Sequence, residues 1–280
     1  MRLAISNIAW DPAEDADVAA LLQRHQVDAI DVAPAKYFAD LRHAGDAEIA
    51  RVRAWWAAHG IELTGMQALL FGTSGFNVFG SVEVRAAMLD YLDVGVCRIG
   101  AGLGATRLVF GSPKNRDRTG ASDAEARDIA VDFFARLGAI AGARGVTICL
   151  EPNPPRYGAN FMCNSDDTAA IVAAVDHPAI KLQLDTGAIT INAENPAEIV
   201  ARYAALIGHV HASEPDLLPL GDGTTDHGQV SAVLARLLPD HIVTIEMLAT
   251  KHEPHVQAIE RALKVAIAAY RSPIATQVGS

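Results

Sequence analysis

Short apolar runs recur along the chain, and between them apolar positions return every three or four residues. This alternation predicts strand then helix throughout. A first strand lies within RLAISNIAW, from Arg2 to Trp10, and a helix in ADVAALLQRH leads to the strand AIDVAP. The helix AEIARVRAWWAAHG stops at Gly60, a C-terminal helix signal, before the strand ELTGMQALL. A long helical stretch from Ser81 precedes RLVFGS, and another runs from about Ser122, with Ser122 or Asp123 as cap, to Gly145. The strand runs TICLE, IKLQLD, HVHASE and IVTIEML then alternate with helices in SDDTAAIVAAVDH, AEIVARYAALI, QVSAVLARLLP and EPHVQAIERALKVAIAAYR.

That makes eight strand–helix units. Helices of this length between strands imply parallel pairing with right-handed crossovers. AIDVA and TICLE are apolar on both faces, which suits a sheet covered outside and packed within. An open doubly wound sheet would call for G-x-G-x-x-G after the first strand, where ISNIAWDP stands instead. The predicted fold class is α/β, a closed (β/α)8 barrel. It is expected as one domain over residues 1–271, with 272–280 as a frayed tail or a contact with a neighbouring subunit.

Four of the later strand runs end on an ionisable residue: TICLE on Glu151, IKLQLD on Asp185, IGHVH on His211 and IVTIE on Glu246. In such a barrel these ends converge on one face, where active sites are built. Burying an unpaired carboxylate costs several kcal/mol in effect, so a shared role explains four of them better than four separate accidents. Three carboxylates and an imidazole suit Mn²⁺, Mg²⁺ or Co²⁺. One catalytic divalent ion is expected, on Glu151, Asp185, His211 and Glu246.

Composition narrows the partners. With 23 basic and 33 acidic residues the formal charge is −10, which repels phosphate backbones and argues against nucleic acid. No apolar run reaches the roughly 20 residues of a membrane span. The N-terminus turns acidic early and lacks the pattern of a signal peptide. Cys97, Cys149 and Cys163 have no paired spacing, so no disulfide framework is expected and a reducing cytoplasm fits.

LEPN at Glu151, LDTG at Asp185, HVHASE at His211 and TIEM at Glu246, in this order on strands five to eight, resemble the sugar phosphate isomerase/epimerase family. This is the xylose-isomerase-like barrel superfamily, which includes ketose 3-epimerases and endonuclease IV nucleases. The resemblance implies that the four residues hold one Mn²⁺, Mg²⁺ or Co²⁺ and that Glu151 and Glu246 also move protons. The ion would stabilise an enediolate of a sugar or related hydroxy-carbonyl compound as a Lewis acid. One glutamate would remove a proton, and the other would return it to the opposite face or the adjacent carbon.

Two departures from the family pattern bear on substrate. Many members carry a histidine three residues after the strand-six aspartate, where Ala188 stands here, and often an arginine after the strand-seven histidine, which HASEPDLLPLGDGTTDHG lacks. A metal-dependent dehydratase or lyase acting on a keto-sugar or keto acid is the alternative enzyme, and a non-catalytic sugar-binding barrel is the alternative of another class. The missing histidine weighs against an endonuclease IV-like nuclease. His227 is expected to cap a loop or helix, and His209, two residues before His211, to be a hydrogen-bonded core residue.

Asn7, Lys36, Gln67 and Asn153 fall at or just beyond strand ends and are candidates for substrate binding, as are Lys114, Arg116 and Lys251. Lys36 could pair with an anionic group. SPKNRDR would add a basic cluster with Arg118, and the stretch from Phe71 to Ser81, rich in Gly and aromatics, could form a lid. The expected partner is a small sugar-derived molecule, with a homo-oligomer plausible.

Overall fold

The computed structural model of the protein describes residues 1–271. The tail expected at 272–280 lies outside the described residues. Eight parallel strands close into a barrel in sequence order. They are β1 (Arg2–Ser6), β2 (Ala29–Val32), β3 (Glu62–Met66), β4 (Arg107–Phe110), β5 (Thr147–Leu150), β6 (Ile180–Asp185), β7 (Ile207–Ser213) and β8 (Ile242–Glu246). Closure comes from β1 against β8, with Leu3 opposite Val243 and Ile5 opposite Ile245.

The helices are α1 (Asp15–Arg24), α2 (Asp46–Ala58), α3 (Val82–Tyr91), α4 (Arg98–Leu103), α5 (Asp123–Arg144), α6 (Ser165–Val175), α7 (Thr186–Ile191), α8 (Pro196–Tyr203), α9 (His227–Leu237) and α10 (His255–Tyr270). Ser122 caps α5, accepting the Glu125 N–H while the Glu125 carboxylate accepts the Ser122 N–H. The helical stretch expected from Ser81 is interrupted by a π-helical segment, Leu92–Cys97, where Gly95 lies against Leu41. The short α7 was not expected. It starts directly at the end of β6 because the Asp185 carboxylate caps it, accepting the Ala188 N–H at 2.6 Å.

Between barrel and helices lies an apolar layer with Leu21, Leu22, Trp56, Phe133, Phe134, Ile259 and Leu263 all buried. The barrel interior is different. Asp31, Thr64, Gln183, His209 and Thr244 are buried polar residues there. His209 Nε2 meets Asp31 Oδ2 at 2.6 Å, and Thr64 Oγ1 donates to Asp31 Oδ1 at 2.9 Å. Gly65 makes room for this carboxylate, because a Cβ there would sit 2.7 Å from it. Among the described residues no helix is long and apolar enough to cross a membrane, and Cys97, Cys149 and Cys163 are free thiols.

Candidate metal centre and cavity

Period two along a strand puts His209, His211 and Ser213 on one face of β7, and Thr244 and Glu246 on one face of β8. The same alternation carries Gln183 and Asp185 on β6, while Glu151 follows directly on β5. As a result Glu151, Asp185, His211 and Glu246, all buried, each offer one donor atom within 4.8 Å of the others. His211 Nδ1 stands 3.2 Å from Glu246 Oε2 and 3.4 Å from Glu151 Oε1.

Each carboxylate is held from behind. Gln67 Nε2 donates to Glu246 Oε1 at 2.6 Å, and Asn153 Nδ2 to Glu151 Oε2 at 3.2 Å. Asp185 accepts from Ser213 Oγ at 2.7 Å as well as from the Ala188 N–H. Ser213 Oγ in turn accepts the Gly187 N–H, so the start of α7 and the end of β7 are locked around the aspartate. Gly111, just after β4, leaves the space that Glu151 fills; a Cβ there would lie 2.0 Å from Glu151 Oε2.

Electrostatics show what the cluster lacks. Burial and the neighbouring Glu246 and Glu151 charges push the Asp185 carboxyl well above its ordinary range. Burial disfavours an imidazolium at His211, yet Glu246 and Glu151 outweigh it and hold the ring protonated well above its usual pKa. Burial likewise works against Glu246, but His211 and Gln67 keep its carboxyl below the usual value. Glu151 Oε1 and both His211 ring nitrogens have no hydrogen-bond partner. Three crowded acids, an orphaned carboxylate oxygen and an orphaned imidazole fit a small hard cation, which would take the place of the proton on His211.

Above the cluster opens a cavity of about 770 Å³. Of the substrate-binding candidates, Lys36, Gln67, Lys114 and Asn153 line it, together with Glu151, Asp185 and Glu246. Lys36 is not free: its ammonium donates to the Trp10 carbonyl, and Lys114 Nζ reaches the Thr73 carbonyl at 3.3 Å.

Three of the candidates do not line the cavity. Asn7 is buried and turned to accept the Ala33 N–H at 2.7 Å, and Lys251 lies in an exposed turn after β8. Arg116 is fully buried behind the wall, where its guanidinium donates to Asn153 Oδ1. Arg118 is also drawn aside, to Asn160 and Asp123.

His227 opens α9, with Nδ1 2.8 Å from Tyr270 Oη and Nε2 3.2 Å from Glu214 Oε1. His209 is paired with Asp31, although Asp31, His209 and His211 also bring donor atoms within 4.8 Å. Of the stretch from Phe71 to Ser81, Phe71 stands at the cavity, Val78 is buried, and Phe79 packs edge-on against Phe161. Sequence reasoning missed Ser213; its signal was the two-residue spacing from His211 in HVHASE. Tyr157, Leu217 and Leu248, which also line the cavity, carry no such signal.

The profile of the xylose isomerase-like TIM barrel family matches residues 19–269. This chain belongs to that family. Solved structures of similar shape include D-psicose 3-epimerase from Clostridium cellulolyticum H10, with D-tagatose, at a TM-score of 0.79 and 19% identity, covering 96% of this chain and 99% of that one. The 3-keto-D-glucoside 4-epimerase of E. coli gives 0.76 at 19% identity over 94% and 98%, and an L-ribulose 3-epimerase gives 0.76 at 17% over 96% and 94%.

At these identities the likeness establishes the fold. In sequence, 122 residues are 29% identical to a mannonate dehydratase of Rhizobium meliloti (strain 1021), a match covering 40% of this chain and 30% of that protein's length. Within the xylose isomerase-like frame, the position three residues after Asp185 is Ala188, whose backbone caps onto Asp185 and whose side chain faces the cavity.

Proposed function

We propose that this protein is a divalent-metal-dependent isomerase or epimerase of a sugar or related hydroxy-carbonyl compound. The observation that carries the reading is the placement of the Glu151 and Glu246 carboxylates 3.4 and 3.2 Å from His211 Nδ1, beside Asp185, at the floor of the cavity. Glu151, Asp185, His211 and Glu246 would hold the ion. When bound, a divalent ion polarises carbonyl and hydroxyl oxygens and acidifies the neighbouring C–H.

Glu151 and Glu246 enter from strands three apart round the barrel, each with one oxygen fixed by an amide. One carboxylate removes the proton from the carbon beside the carbonyl, and the other, carrying a proton, delivers it. Delivery to the opposite face of the same carbon epimerises; delivery to the adjacent carbon isomerises. Asn153 and Gln67 set the carboxylate planes.

The match to a mannonate dehydratase favours a second reading, in which one glutamate removes the proton and a neighbouring hydroxyl, protonated by the other glutamate, leaves as water. Incubating the Mn²⁺-loaded protein with keto-sugars in deuterated solvent tests both. Deuterium at the carbon beside the carbonyl, with the mass otherwise kept, supports the epimerase. Loss of one water selects the dehydratase. Glu151→Gln and Glu246→Gln should each slow exchange at least ~100-fold, and normal exchange in both variants would sink the proton-transfer assignment.

A further inference from the structure

Resting on the sugar-isomerase reading of the floor, we propose that the substrate carries a bulky, uncharged apolar substituent, an aryl or alkyl aglycone, seated on Leu70, Phe71, Leu217 and Leu248. Polar groups able to orient a sugar are gathered at the cavity floor: Gln67, Asn153 and the three carboxylates. Leu70, Phe71, Leu217 and Leu248 give the lining an apolar stretch, alongside the charged Lys36, Lys114, Glu214 and Asp216. A volume of about 770 Å³ falls in the upper part of the ~300–1,000 Å³ range of pockets for drug-sized ligands, more than a lone monosaccharide needs.

Phe71 is 73% exposed and Leu248 51% exposed, and both line the cavity. Large apolar side chains left in water beside a polar floor mark a surface meant to be covered. Backbone strain falls on the same wall. Ala68, Asp216 and Leu217, all lining the cavity, have φ of +53°, +60° and +53°, a region that costs a non-glycine residue about 1–3 kcal/mol. The Leu248 N–H donates to the Leu217 carbonyl at 2.9 Å, which ties the loops after β7 and β8 into one ledge.

Charge argues against a phosphorylated substrate. The lining cations, Lys36 and Lys114, are engaged by the Trp10 and Thr73 carbonyls, and among the described residues no arginine lines the cavity. Glu214 and Asp216 also line it, but each faces a basic side chain, His227 and Arg156 respectively. A phosphate dianion finds no arginine fork on this lining and three carboxylates at the floor, whereas a neutral ring gains from the apolar ledge.

The test is calorimetric titration of the full-length, Mn²⁺-loaded protein with methyl and phenyl glycosides of glucose, galactose and mannose, and with glucose 6-phosphate. For at least one sugar the phenyl glycoside should bind about tenfold or more tightly than the methyl glycoside, and the double variant Phe71→Ala with Leu248→Ala should bring the two level. Equal affinities, no binding by any glycoside, tightest binding of the phosphate, or a preference that survives the double variant each overturns the proposal. So does a double variant that changes the oligomeric state but not the discrimination, since the ledge would then be covered by a second copy. Deuterium exchange separates this proposal from the reading of the floor. Full-rate exchange on unsubstituted ketoses, with no gain from a phenyl group, keeps the epimerase and removes the aglycone; phenyl preference with no exchange on any keto-sugar keeps the ledge and removes the epimerase.

Discussion

The buried guanidinium of Arg116 donates to the side-chain oxygen of Asn153, whose amide donates onward to Glu151 Oε2. A positive charge thus sits behind the glutamate through a neutral relay. Burial pulls the Arg116 pKa down to about 10 against the opposing pull of Glu151, and its Nε and Nη1 have no hydrogen-bond partner. Arg116→Met should weaken Mn²⁺ affinity ~10–100-fold with little loss of thermal stability, since it also removes unsatisfied buried donors. Arg116→Lys should not restore the affinity, because an ammonium lacks the planar fork. Unchanged Mn²⁺ titration of the methionine variant would remove the relay from the account.

Gly111 and Glu151 share one volume. Gly111→Ala should leave the circular dichroism spectrum native while displacing Glu151, because the new Cβ would lie 2.0 Å from Oε2. Small misplacements of a reacting group cost ~100-fold, so solvent exchange into a keto-sugar should fall by about that much. Full exchange would show that the glutamate need not hold this position.

Deeper in the barrel, Asp31 and His209 form a buried pair. Burial opposes both charges and lowers the His209 pKa, while His209 and Thr64 hold the Asp31 carboxyl below the usual range. If both partners are charged, removing one costs about 3–5 kcal/mol. Asp31→Asn should lower the urea midpoint accordingly, and a loss below about 1 kcal/mol would mean that the pair is not charged.

Glu214 makes the protein acid-sensitive. Burial works against its charge, yet the His227 side chain and the Gly221 and Thr225 N–H groups hold the carboxyl down at about 2, against 4.5 ordinarily. The unfolded chain therefore binds this proton more readily than the folded one. Its contribution is complete above about pH 4.5 and is lost as pH falls toward about 2. In melting curves across that window, Glu214→Gln should be less stable than wild type at pH 6, and the gap should close in acid. A constant gap would assign the effect to something other than ionisation.

A cation held among Glu151, Asp185, His211 and Glu246 would relieve the crowding that pushes the Asp185 carboxyl up. Mn²⁺ at about a hundred times its Kd should add ~2.7 kcal/mol, several degrees in Tm. His211→Ala should abolish most of that gain. An equal rise in the variant would place the ion elsewhere.

The order of strands and helices, the closure of the barrel and the convergence of Glu151, Asp185, His211 and Glu246 were legible in the sequence. A strand's period and its C-terminal end are local properties, and parallel βα units leave their strand ends on one face. His209 could be assigned to the core for the same reason. The supports of the centre were hidden, because Gln67 reaches Glu246 across 179 positions and Ser213 reaches Asp185 across 28, pairings that exist only once the barrel closes. Loops obey no period, so the inward turn of Arg116, the capture of Lys36 by Trp10 and the apolar ledge of Phe71, Leu217 and Leu248 were decided by tertiary packing. Local patterning set where the ionisable side chains stand along each strand; closure of the barrel chose what each of them touches.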